Sequence, residues 1–351
     1  MSGAVPLTGF GGRVALLVER RALGVLALLV AALAALVVWS LMTGSYGLGP
    51  RAVLATLAGD APEPTAETVV WEFRLPRTLV SAMVGALLAL SGATLQTVTR
   101  NALADPSLVG VSQGASLAVV ASIVAFPGLP AEARPLLAFG GGLAVAALIQ
   151  AISLRRGEGG ATMRFILTGI GLAAFLGAIT TAMLTYGRIE DAMAALGWLA
   201  GSVHAAGWGE VRTLALCLAL LAPLLLWTSR PMAPMRMGPE MAAGLGVRVG
   251  VTRAGLIALS VALAAVAVAA VGPLGFVGLV APHMARRLAR AGVGLHLLLT
   301  AAVGALMVLA ADLVGRALFA PVQIPAGLVT ALLGAPVFVW LILRAQARSQ
   351  L

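Results

Sequence analysis

Charged positions along this chain come in short clusters separated by long apolar runs. Eight stretches contain no Asp, Glu or Arg: residues 22–43, 78–99, 106–131, 135–154, 165–187, 213–229, 291–311 and 317–343. Each is close to the length of about 20 apolar residues that a helix needs to cross a bilayer. Most are bracketed by arginine, as in Arg77/Arg100, Arg134/Arg155 and Arg164/Arg188. The first run is longer than the usual apolar region of a signal peptide and no A-x-A site follows it, so it reads as a retained first helix.

Residues 254–285 form one further charge-free stretch, about 48 Å long as a single helix against a hydrocarbon core of about 30 Å. It contains the breaker cluster Gly272-Pro273-Leu274-Gly275. Arg253 precedes it, and Arg286, Arg287 and Arg290 follow. If both groups are cytoplasmic the chain must go out and return. The stretch is therefore divided into a full span, 254–271, and a short returning leg, 274–288. This predicts an all-α polytopic membrane protein of about ten transmembrane helices, one domain over 1–351, with both termini inside.

Composition agrees. Hydrophobic residues are 60% of the chain and charged residues 10%, and mean hydropathy is +1.03. Soluble domains keep about a quarter of their residues charged, so a soluble enzyme or nucleic-acid-binding domain is excluded. The formal charge of +10 belongs to membrane orientation and not to nucleic acid. The ten-span arrangement puts sixteen arginines and four acids inside, seven arginines and nine acids outside, as the positive-inside rule requires. Residues 44–75 and 188–210 are then external, the second apolar enough for a short helix against the membrane. Residues 229–253 are the longest internal loop.

All 23 basic residues are arginine. Without lysine there is no P-loop and no Schiff-base chemistry. Cys217 is the single cysteine, which excludes an intrachain disulfide and a CxxC site. His204, His283 and His296 are far apart in sequence and lack ligand-spaced carboxylates, so no metal centre and no catalytic residue is assigned. Gly110-Val111-Ser112-Gln113-Gly114 fits G-x-S-x-G but opens a membrane helix, where that motif has no strand-to-helix turn. Intramembrane acids are nearly absent, which counts against a self-powered proton-coupled carrier.

Small residues at four-residue spacing let helix backbones approach within a membrane. Ser81, Gly85, Ala89 and Ala93 read as a packing row. Gly169, Ala173, Gly177, Thr181 and Thr185 fit packing or a polar path equally, with Gly177, Thr181 and Thr185 as the candidate path residues. Three other segments carry chemistry. Arg74-Leu75-Pro76-Arg77 stands at the external start of the second span. Asp312-Leu313-Val314-Gly315-Arg316 stands at an external helix end. External arginines suit capture of carboxylates on a partner, whereas Asp312 and Arg316 also fit a plain i,i+4 pair. In the internal loop, Gly238-Pro239-Glu240-Met241-Ala242-Ala243-Gly244-Leu245-Gly246-Val247-Arg248 reads as a short helix begun by Pro239 and ended by Gly244 and Gly246. Met241, Leu245 and Val247 give it an apolar edge for a partner's groove, or for lipid headgroups.

From about residue 70 to 344 the chain resembles the permease subunits of type II ABC importers for iron–siderophore, haem and cobalamin. The resemblance rests on R-L-P-R at 74–77, N-A-L-A-D-P-S-L-V-G-V-S at 101–112, G-P-E-M-A-A-G-L-G-V at 238–247, G-F-V-G-L-V-A-P-H-M-A-R at 275–286, D-L-V-G-R at 312–316 and I-P-A-G-L-V-T-A-L-L-G-A-P-V-F at 324–338. One position departs: Ala102 stands where the family usually has proline. The resemblance implies the type II importer fold in a bacterial inner membrane. It implies a homodimer around a central pathway, two separate ATPase subunits that bind ATP and magnesium, and a periplasmic or extracellular binding protein. It assigns binding-protein docking to Arg74, Arg77 and Arg316, ATPase coupling to residues 238–248, and a cytoplasmic gate to Asn101, Leu103, Thr162 and Met163. It leaves this chain without a cofactor. A ferric siderophore is the expected cargo, with haem or cobalamin as alternatives and a stand-alone carrier as the rival mechanism.

Overall fold

The computed structural model describes residues 4–9, 14–44, 46–154, 161–318 and 322–349. A hairpin of β1 (Ala4–Gly9) and β2 (Val14–Glu19), in register Ala4↔Glu19 through Gly9↔Val14, precedes the bundle. Sequence analysis assigned nothing there. Every other regular element among the described residues is helical.

In order these are α1 (Arg20–Met42), α2 (Pro50–Leu57), α3 (Pro64–Thr68), α4 (Leu75–Thr99), α5 (Val111–Val124), α6 (Arg134–Leu154), α7 (Ala161–Tyr186) and α8 (Ile189–Leu199). Then follow α9 (Trp208–Trp227), α10 (Ser229–Met237), α11 (Pro239–Gly244), α12 (Val249–Val271), α13 (Val277–Leu288), α14 (Val293–Ala317) and α15 (Ala326–Ser349). Among the described residues seven helical segments are long and apolar enough to cross a membrane, and α5 and residues 326–340 are shorter apolar helices. With α13 as a short returning leg, these account for the ten expected segments.

The division at Gly272 is confirmed. Gly272 (φ 78) ends α12 and Phe276 (φ 67) starts α13, so two left-handed residues reverse the chain between them. The side of Phe276 is filled by Gly334 of α15, where any Cβ would overlap the Phe276 side chain.

α4 is the centre of the bundle. Nearly all its side chains from Pro76 to Thr99 are buried, against α14, α12, α13 and α9. The predicted packing row explains part of this: a Cβ on Gly85 would overlap the Gly304 carbonyl of α14, and a Cβ on Gly304 would overlap Ala89. Gly92, which lies outside that row, does the same for α13, where its Cβ would overlap Gly278. Such contacts replace the hydrophobic drive that helices lack in lipid. Ser91 and Ser260 add a reciprocal clamp between α4 and α12: Ser91 Oγ donates to the Ser260 carbonyl (2.6 Å) and Ser260 Oγ to the Ser91 carbonyl (2.9 Å). Peripheral helices carry outward apolar side chains such as Leu28, Phe175, Leu220 and Leu332, the surface that lipid covers.

Several boundaries differ from expectation, for one reason: charge-free runs end at the nearest charge, while a helix ends where its hydrogen bonding ends. The helix of α4 begins upstream of Thr78, continuous with α3 through a π-helical turn at Val69–Arg74. α12 begins at Val249 and takes Arg253 into its first turns. α5 stops at Val124 and not at 131, and α15 starts at Ala326 and not at 317, directly after Pro325. Residues 44–75, expected outside, contain α2 and α3, and residues 229–253, expected inside, contain α10 and α11.

Candidate functional site: two charged ends and a coupling helix

The first site, expected on the outer side, is built where the start of α4 meets the ends of α1 and α14. Arg77 Nε donates to both Asp312 oxygens (2.9 and 3.1 Å), and its Nη2 donates to Oδ1 at 2.6 Å. Its Nη1 donates to Gln323 Oε1 (2.7 Å) and lies 3.1 Å from His204 Nδ1. This is a bidentate, charge-assisted pairing between helices 235 residues apart in sequence. Arg316 takes a different partner. Its Nη1 donates to the Thr43 carbonyl (3.1 Å) and its Nη2 to the Ser40 carbonyl (2.9 Å) and hydroxyl. Arg74 Nη1 donates to the Leu41 and Met42 carbonyls, and Nη2 to that of Tyr46. The last carbonyls of a helix have no intrahelical donor, and here two arginines supply donors at the negative end of α1.

Two expectations change. The Asp312–Arg316 pair is secondary: Arg316 Nε sits 3.5 Å from Asp312 Oδ2 and makes no hydrogen bond. Nor are Arg74, Arg77 and Arg316 open for direct capture, because they are only 6%, 8% and 7% exposed. Their guanidiniums are already engaged by the protein. The cluster still carries three cations against one carboxylate.

At the opposite end of the bundle, the segment expected to couple to an ATPase contains a helix of the predicted extent. Gly238 (φ 120) breaks the chain after α10, Pro239 opens α11, and Gly246 (φ 82) lies just past its end. Only glycine takes such a φ at little cost. Met237, Met241 and Leu245 are 67%, 52% and 61% exposed, whereas Ala242 is buried beneath them. Val247 does not share that edge, since it packs against the central core. α10 itself, running Ser229–Met237 ahead of the motif, was not foreseen. Glu240, Ala243, Gly244 and Arg248 are exposed.

The residues expected at a gate fall at the α4–α5 connection and the start of α7. Asn101 Oδ1 accepts from Leu103 N (2.9 Å), a side-chain turn that holds this corner without the family's proline. A cavity of about 20 Å³ beside it is lined by Asn101 and Asp105 on one side and Phe165 and Ile166 of α7 on the other. The start of α7 is thus brought against Asn101. Thr162 and Met163 lie on α7, but their side chains are outside the described residues. Farther along α7, Thr181 and Thr185 are exposed, their hydroxyls donating to the carbonyls of Gly177 (3.0 Å) and Thr181 (2.8 Å). A Cβ on Gly177 would meet nothing within 4 Å, so Gly177, Thr181 and Thr185 do not pack tightly within the chain, whereas Gly169 at the other end of the row is buried.

Ser112 is the second residue of α5, which opens at Val111 directly after Gly110, at a helix start and not a nucleophile turn. Among the described residues no group of three or more His, Cys, Asp or Glu is placed to hold a metal.

A bundle of apolar helices with charged seams at its ends and a hinged apolar helix on one of them is a multi-pass membrane transport protein. The chain belongs to the FecCD transport family, whose description it matches over residues 32–344. It is 40% identical over 319 residues to the achromobactin transport system permease protein of Dickeya dadantii, covering 89% of this chain and 90% of that one. It is 38% identical over 335 residues to the Fe(3+)-citrate import system permease protein of Bacillus subtilis, covering 95% and 98%. A transporter described as of the metal-chelate ABC type, solved in an inward-facing conformation, superposes with a TM-score of 0.81 at 30% identity, over 92% of this chain and 99% of that one.

Proposed function

We propose that this chain is the membrane permease of an ATP-driven importer of ferric siderophores, in the cytoplasmic membrane of a bacterium with both termini inside. The observation that carries the reading is α11, a glycine-hinged helix with Met241 and Leu245 exposed above a buried Ala242. A lone bundle has no use for such an edge. A groove on an ATPase subunit does. The cargo assignment draws on relatives named for achromobactin and Fe(3+)-citrate transport.

Two copies would face each other across the open row Gly177, Thr181 and Thr185, with the pathway between them. Two ATPase subunits, which bind ATP and magnesium, would seat on residues 238–248. Their closure moves α11 about Gly238, and the bundle passes from outward- to inward-facing, with Asn101, Leu103, Thr162 and Met163 at the inner constriction. Outside, the surplus positive charge of Arg74, Arg77 and Arg316 steers an acidic surface of the binding protein onto the mouth. Because those guanidiniums also hold the end of α1, docking bears on the helix they cap.

The test is a reconstituted complex given ferric siderophores, haem and cobalamin. Ferric siderophore should accumulate only with ATP and binding protein. Met241→Glu with Leu245→Glu should release the ATPase from the purified complex while the permease stays folded. Uptake driven by an ion gradient without the ATPase would overturn the reading.

A further inference from the structure

Three helix ends converge at the inner side of the bundle, each carrying an arginine. Arg100 is the C-cap of α4 (φ 52), Arg236 is in the last turn of α10, and Arg286 is in the last turn of α13. They border a cavity of about 270 Å³ lined also by Gln96, Thr97 and Ala102. Gln96 and Thr97 form a buried floor, and the three arginines are solvent-accessible walls. Gln96 Nε2 lies 3.3–3.4 Å from the carbonyls of Ala104, Gly278 and Leu279, and its Oε1 accepts from Arg286 Nη2 at 2.8 Å. The floor is thus oriented to hold Arg286 at the rim.

No described carboxylate lies within ion-pair distance of these arginines. Asp105 is buried with Oδ1 taken by Ser107, and Glu240 is exposed on α11 without an ion pair. Each helix C-terminus contributes about half a negative charge, so roughly 1.5 positive charges remain, enough to balance the single negative charge of a phosphodiester headgroup or the one to two of free phosphate near neutral pH. Guanidinium forks fit phosphate oxygens bidentately.

We propose that this cavity binds a phosphate group, from an anionic lipid headgroup of the inner leaflet or from free phosphate. The site adjoins the coupling hinge: a Cβ on Gly238 would lie 3.5 Å from Arg100 Nη1. An occupant bridging Arg100, Arg236 and Arg286 ties the hinge to α4 and α13 and restrains α11. This inference does not depend on the cargo.

The test uses the full-length purified protein. In one arm, inorganic phosphate is titrated against chloride at matched ionic strength in neutral detergent. In the other, the protein sits in nanodiscs of phosphatidylcholine with or without phosphatidylglycerol. Thermal unfolding is the readout. A stabilisation by phosphate assigns the free ion, and one by phosphatidylglycerol alone assigns the headgroup. Arg100→Gln and Arg236→Gln should each raise the half-saturating concentration about tenfold, the loss of one charged hydrogen-bonding partner. Arg212→Gln, exposed at the far end on α9, should leave it unchanged. If Arg286→Gln fails to fold, the other two variants decide. Absence of stabilisation in both arms, or equal weakening by Arg212→Gln, overturns the proposal.

Discussion

The two ends of α4 each gather three arginines, and the protein treats them in opposite ways. At its N-terminal end, Arg74, Arg77 and Arg316 are buried, and Asp312, Gln323 and the terminal carbonyls of α1 accept their hydrogen bonds. At its C-terminal end, Arg100, Arg236 and Arg286 stay accessible around a cavity, and among the described residues only Gln96 accepts a hydrogen bond from them, that of Arg286. Charge closed by the chain's own acceptors fastens helices together. Charge left open waits for something the chain does not contain.

That contrast breaks most readily at Asp312. Asp312→Ala should cost about 3–5 kcal/mol, because it strips the counter-charge from buried Arg77; thermal or denaturant unfolding in detergent measures it, and a loss under 1 kcal/mol would make the outer cluster as loose as the inner. Arg316→Ala should cost about 1–3 kcal/mol by leaving the Ser40 and Thr43 carbonyls without donors, with faster hydrogen exchange confined to the end of α1. Gly238→Ala, at φ 120, should destabilise by somewhat more than about 1 kcal/mol through backbone strain and lower ATPase-coupled uptake more than it lowers ATPase binding. Smallest of all, Arg236→Gln without added anion should change stability by no more than about 0.5 kcal/mol, since it removes no hydrogen bond or ion pair among the described residues. A large loss there would show the inner arginines to be as structural as the outer ones.

Much of the fold was legible because the bilayer imposes a length on each apolar run. The reversal at Gly272–Phe276 was readable from its breaker residues, and α11 from Pro239 and its trailing glycines. Span ends were less so, since Arg253 sits inside α12 and Glu67, Glu72 and Arg74 sit inside the helical approach to α4. A charge tolerated in a first turn is invisible to a rule that stops at charges. The outer arginines were found by motif, but not their burial. The inner cavity was missed: Arg100, Arg236 and Arg286 stand on separate segments, and the only sequence signal was that each closes a helix.

By itself, then, the chain's order of residues determined how many times it crosses, where it turns and which short helix it offers at its inner face, because these follow from local hydrophobic length and from proline and glycine dihedrals. Only the packed structure decided which arginine meets which acceptor. Arg77 finds Asp312, and Arg316 leaves its own helix neighbour for α1, because a buried guanidinium settles where several acceptors converge in space, and that convergence is created when Gly85 and Gly92 let α14 and α13 close onto α4.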